Sequence, residues 1–152
     1  MPTAGLSEIV MSRIYLSVDL RKIVKIRASE ECEYCLRPAM FANESYHIDH
    51  IIALKHGGWS DLDNLAWSCS FCNTWKGSDL STYLIEEGEI VILFNPRKHR
   101  WLDHFTLSET GEIEAKTKTG LGTIALLKMN EEEKVLERTT MLSEGYSFFA
   151  LQ

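Results

Sequence analysis

Four cysteines in two pairs, Cys32-x-x-Cys35 and Cys69-x-x-Cys72, constrain this chain more than any other feature of its sequence. A two-residue gap lets two thiolates turn onto one tetrahedral ion at about 2.3 Å, and two such pairs close the coordination of a Zn²⁺. The spacer between the pairs is longer than that of a usual zinc finger but still allows two knuckles to grip one ion. An ion closed by four sulfurs has no position left for substrate, so its expected role is structural. Buried free thiols are the bland alternative, and paired CxxC spacing seldom arises by accident. A redox dithiol would need a single CxxC beside a βαβ pattern, which the sequence does not provide.

With 152 residues the chain has room for one compact domain, or for a small catalytic module with an extension wrapped around it. No run approaches the roughly 18 apolar residues of a membrane span, and residues 1–11 lack a basic segment followed by an apolar stretch. The expectation is a cytoplasmic protein with no membrane partner, where cysteines stay reduced and bind metal. The formal net charge of −6 has the wrong sign for a protein that holds nucleic acid by charge alone. The distribution softens this, because Arg97, Lys98, His99 and Arg100 are consecutive, while acid collects at 86–89 and 131–133.

Hydrophobic periodicity predicts a mixed α+β chain. Asp19 is expected to cap a helix bearing Leu20, Ile23, Val24 and Ala28 and ending near Glu31, just before the first cysteine pair. Strands are expected over 46–52 and 65–69, separated by a loop with the Gly57-Gly58 pair, followed by a helix from Phe71 to Tyr83. Further strands are expected over 89–94, 101–107 and 112–116, and a short helix over 121–129. A last helix, capped by Asn130, would carry Val135, Leu136, Thr139 and Leu142 on one face and stop at Gly145. The organisation read from this is an N-terminal segment over 1–18, a zinc-knuckle module over 19–84, and a strand and helix extension over 85–152.

Between the cysteine pairs lie His47-Ile48-Asp49-His50-Ile51 and Asn64-Leu65, and Asn73 follows Cys72 directly, with Lys76 close behind. The string CEYC, HIDHI, GGWSDLDNL, SCSFCNTWKG resembles the HNH endonucleases with zinc-binding cysteines, a family that includes methylcytosine-specific restriction enzymes. The resemblance covers roughly residues 20–80 and implies a ββα-metal nuclease core. It implies that Asp49 is a ligand of a catalytic divalent ion, that His50 is the general base, and that Asn64 braces the loop by hydrogen bonds. The third letter of the motif, often histidine, is Asn73 here, which makes the chain an HNN variant with a weaker, neutral oxygen ligand. The segment LFNPRKHRWLDHF, with GEIEAKTKTGLGTIALLKMN after it, resembles a stretch that accompanies one group of bacterial HNH proteins.

The chemistry of phosphodiester hydrolysis agrees with those roles. The reaction needs a base to deprotonate water and positive charge on the phosphate and the departing oxygen. A histidine titrates near neutrality, and a carboxylate with an amide oxygen suits Mg²⁺ or Mn²⁺. Strand alternation would send Asp49 and His50 to opposite faces, so the strand must end or bulge at that point for both to serve one site. His47 is expected as a structural or phosphate-side residue rather than a metal ligand, and Lys76 as either a phosphate contact or a solvated surface charge. Trp59, Trp67, Trp75 and Trp101 are expected in the core. The expected partner is double-stranded DNA, with a homodimer or two binding events needed to cut both strands. The rival expectation is a zinc-stabilised nucleic-acid-binding module without nuclease activity.

Overall fold

The structure, a computed structural model, describes residues 15–152; the expected N-terminal segment lies almost wholly outside them. Helix α1 (Val18–Arg27) is capped by Ser17, whose hydroxyl accepts from the Leu20 amide at 3.1 Å, not by Asp19. It stops before Glu31 because Ser29 and Glu30 take left-handed backbone angles, φ 51° and 59°, which turn the chain into the first cysteine pair. Val24 and Ala28 face inward, and Arg27 reaches across to donate to the carbonyls of Leu62 and Leu65.

Strands β1 (His47–His50) and β2 (Leu65–Ser68) pair antiparallel, with His47 opposite Ser68, Asp49 opposite Ala66 and His50 opposite Leu65. The connection between them is wound into two short 3₁₀ turns, Leu54–His56 and Leu62–Asn64. Helix α2 (Ser70–Lys76) follows directly, its first turn capped by the Cys69 thiol, and packs on β1. Hairpin and helix together make a ββα unit. The helix is shorter than the sequence suggested. Gly77 at φ 52° ends it, and Ser81–Leu84, expected as helix as far as Tyr83, is strand β3, paired with β4 (Glu89–Ile92). Ser81, Thr82 and Tyr83 suit a pleated strand better than a helix once the glycine has broken the run.

The remainder differs from expectation in three places. Trp101–His104 is a helical turn, α3, and only Phe105–Leu107 is strand, β5, paired with β6 (Ile113–Ala115). Helix α4 (Lys118–Leu126) is capped by the Thr117 hydroxyl. Asn130 does not cap helix α5 (Glu132–Ser143); its carboxamide grips both the N–H and C=O of Ile113. The inward face of α5 is Lys134, Arg138 and Met141, whereas Leu136 is exposed. The two cationic heads explain the change of face. Lys134 donates to the carbonyls of Leu127 and Lys128 at the end of α4, and Arg138 to those of Gly111 and Met129, so backbone groups left open by a helix end and a turn are satisfied.

One hydrophobic core joins the cysteine knuckles to the C-terminal third, through Tyr34, Leu36, Ile51, Phe94, Trp101, Phe105, Leu127 and Phe148. Trp101 is buried, but Trp59 and Trp75 are 47% and 44% exposed, against the expectation that every tryptophan is core. No helix among the described residues is long and apolar enough to cross a membrane.

Candidate functional site

The sulfurs of Cys32, Cys35, Cys69 and Cys72 lie within 4.8 Å of one another, and all four residues are fully buried. Sulfurs at about 2.3 Å from a common tetrahedral ion lie about 3.8 Å apart, and Cys35 and Cys69 are 3.7 Å apart here. Hydrogen bonds from the other three thiols hold Cys35 well below the ordinary thiol range. Burial first, then its cysteine neighbours, pushes Cys32 well above that range, and the neighbours followed by burial do the same to Cys72. A cage that favours one thiolate and resists more is what four close sulfurs give without a counter-charge, and a divalent soft ion supplies that charge. The donor set fits a structural zinc ion.

Asp49 is buried on the inner face of β1, where the hairpin meets α2. Its Oδ2 accepts from the Tyr34 hydroxyl at 2.6 Å. The Lys76 ammonium stands 3.3 Å from Oδ1 and 3.2 Å from Oδ2. Lys76 is thus neither a surface charge nor poised toward a phosphate in this structure: it is 2% exposed and turned inward. Asn73, one turn earlier on α2, is half-buried, and its carboxamide takes no hydrogen bond from any described residue. A carboxylate and an amide oxygen belong to the class of hard donors that Mg²⁺ or Mn²⁺ takes.

Strand β1 ends at His50, and the half-buried imidazole lies against Ser60, with Nε2 2.8 Å from the hydroxyl oxygen. Burial pushes its pKa below the ordinary histidine value and the Lys76 charge adds to this, against the opposite pull of Asp49. Asn64 fixes the loop that presents Ser60. Its Oδ1 accepts from the Ile52 amide at 2.8 Å, and its Nδ2 donates to the carbonyls of Ile52 and Trp59, both at 2.9 Å. Gly58 lies against this clamp so closely that a Cβ there would stand 1.7 Å from the Ile52 carbonyl oxygen. His47, at the exposed start of β1, stands apart from these contacts.

Three participants escaped sequence reasoning. Tyr34 sits between the paired cysteines, where its type alone suggests packing. Ser60 lies in a polar loop, and Gly58 reads as a turn residue; only the fold brings them to Asp49, His50 and Asn64. In the C-terminal basic run, Arg97 is spent on an ion pair with Glu33, while Lys98 and Arg100 remain exposed.

No curated protein and no solved structure matches the chain. Residues 32–79 match the family model described as HNH endonuclease, a span that begins at Cys32, ends just after α2 and takes in Asp49, His50, Asn64 and Asn73. That span coincides with the ββα unit and its cysteine cage, so residues 32–79 are similar to an HNH endonuclease domain and fit a ββα-metal core.

Proposed function

We propose that the chain is a metal-dependent DNA endonuclease that hydrolyses phosphodiester bonds with His50 as general base. The observation that carries this reading is the placement of His50: a half-buried imidazole at the end of the strand that bears Asp49, with Nε2 2.8 Å from the Ser60 hydroxyl. A neutral imidazole is the form that accepts a proton from water. Ser60 holds the ring from one side, and the Asn64 clamp holds the loop that carries Ser60. Asp49 and Asn73 are the residues that would hold Mg²⁺ or Mn²⁺, which when bound supplies positive charge to the phosphate and the departing oxygen. The cysteine cage, with zinc, keeps β2 and α2 in place against the first knuckle. The segment 85–152 supplies Lys98 and Arg100 as exposed cations for a duplex backbone. One module makes one cut, so a double-strand break needs a homodimer or two encounters.

The test is nicking of supercoiled plasmid by zinc-loaded protein with Mg²⁺, Mn²⁺ or EDTA, comparing wild type with His50→Ala. Metal-dependent nicking that falls on the order of 10²–10⁴-fold in the folded variant supports the reading, since that is the usual contribution of a general base. Folded wild type that binds DNA but leaves it uncut with either metal sinks it. That outcome favours a zinc-stabilised nucleic-acid-binding module, a reading for which the Lys76 ammonium seated on Asp49 is the specific observation.

A further inference from the structure

Lys76 is the most deeply buried cation of the site, and its surroundings are unusual for an ammonium. Five oxygens face Nζ: Oδ1 and Oδ2 of Asp49 at 3.3 and 3.2 Å, and the carbonyls of Ile51, His50 and Gly77 at 3.2, 3.4 and 3.5 Å. A carboxylate with several backbone carbonyls is the same class of donor set that hard metal ions take. The ammonium approaches both Asp49 oxygens almost equally, so it stands astride the carboxylate and not beside it. It arrives from α2, the helix that also carries Asn73 three residues earlier. The proposed ligand Asn73 and a competing cation therefore come from one helix, and the cation sits on the Asp49 carboxylate.

We infer that Lys76 is an internal counter-cation that competes with the divalent ion for Asp49 and thereby sets the metal concentration at which the site fills. It is a positioning residue, acting through Asp49. Without a divalent ion, the ammonium neutralises a carboxylate that is only 3% exposed and keeps its oxygens in place together with Tyr34. When the ion arrives, two cations at one carboxylate repel, and the ammonium gives up Asp49. Its remaining partners make that move feasible. The three carbonyls still accept its protons, so Lys76 withdraws from the carboxylate without being left buried and unpaired. The cost of separating ammonium from carboxylate is subtracted from metal affinity, and the device raises the threshold for loading.

This inference rests on the proposed role of Asp49 as a metal ligand, and the experiment separates the two. Mn²⁺ is titrated into zinc-loaded, full-length protein and free Mn²⁺ is read by electron paramagnetic resonance, for wild type, Asp49→Asn and Lys76→Gln. The expected result is loss of binding in Asp49→Asn and a dissociation constant lowered on the order of tenfold in Lys76→Gln, because removing a charge this close favours a cation. Unchanged or weaker binding in folded Lys76→Gln overturns the inference, since a staple between helix and strand would only lose stability. Mn²⁺ binding unaffected by Asp49→Asn, or absent in all three proteins, overturns the Asp49 reading and the inference with it. Should Lys76→Gln fail to fold, wild type labelled with ¹³C at lysine Cε gives the answer. A saturable shift of the Lys76 resonance with Mg²⁺ supports competition, and a resonance that does not move while Mg²⁺ binds overturns it.

Discussion

The Tyr34 hydroxyl donates to Asp49 Oδ2 at 2.6 Å from inside the first cysteine pair, so the zinc knuckle and the proposed metal ligand share one hydrogen bond. The ring that makes it is fully buried and meets Phe94 edge-on, centroids 6.4 Å apart. The Tyr34 carbonyl accepts from Trp101 Nε1 at 2.9 Å, which fastens the C-terminal third to the same residue. Tyr34→Phe keeps the ring and deletes the donor. Nicking should fall about 10–100-fold, the usual effect of losing a partner that orients a metal ligand, with zinc content unchanged. Wild-type rates in the variant would mean that Lys76 and packing orient Asp49 without help.

Removing zinc tests the cage itself. Four fully buried sulfurs held within 4.8 Å need a positive charge among them. Structural zinc sites bind with about 10–16 kcal/mol in small peptides, as much as the whole stability of a typical domain, about 5–15 kcal/mol. Stripping zinc should abolish cooperative unfolding, and Zn²⁺ but not Mg²⁺ should restore it. An unchanged melting curve from protein shown to hold no zinc would mean that packing alone stabilises the fold.

The parts of this site legible in the sequence are those that covalent spacing determines. Cys32, Cys35, Cys69 and Cys72 declare their cage through two-residue gaps, whereas Asp49, His50, Asn64 and Asn73 are singled out by the resemblance to the HNH endonucleases. What spacing does not encode is where a long side chain turns. Lys76 reads as either a phosphate contact or a surface charge, and only the fold, which brings the Asp49 carboxylate and the carbonyls at the end of β1 together, makes an inward ammonium favourable. The same holds for α5, where Lys134 and Arg138 turn inward to meet open carbonyls and rotate the buried face away from Leu136, leaving Val135, Thr139 and Leu142 half-buried at its edge. Helix ends failed where backbone angles intervened, as Gly77 cut short the helix expected to reach Tyr83.

The pH dependence of cleavage should report on His50. Burial disfavours the imidazolium, so the folded protein keeps this ring neutral to a pH below the ordinary value of about 6.5. As pH falls, nicking at saturating Mg²⁺ should therefore persist through that value and drop at a lower pH. The unfolded chain takes up the proton first. Between the folded and unfolded values it binds more protons than the folded chain, and stability should rise with pH across that window. An acid limb with its midpoint at or above 6.5 would argue that the titrating group is not His50 as this structure holds it.

Gly58 offers the sharpest steric test of the Asn64 clamp. A methyl group added there would lie 1.7 Å from the Ile52 carbonyl oxygen and 2.9 Å from Asn64 Nδ2, and the first of these is backbone that cannot swing aside. The carbonyl it strikes is one of three groups that Asn64 holds, so Gly58→Ala must move the loop or break the clamp. Overpacking of this kind costs about 1–3 kcal/mol. The expected result is a lower melting temperature and a larger proportional loss of nicking, because Ser60, the His50 partner, sits two residues away on the displaced loop. Zinc content should stay at the wild-type level, since the four cysteines lie outside this loop, in the first knuckle and at the start of α2. If Gly58→Ala melts and nicks as wild type does, the loop has room that the backbone contact denies, and the clamp is not what positions Ser60.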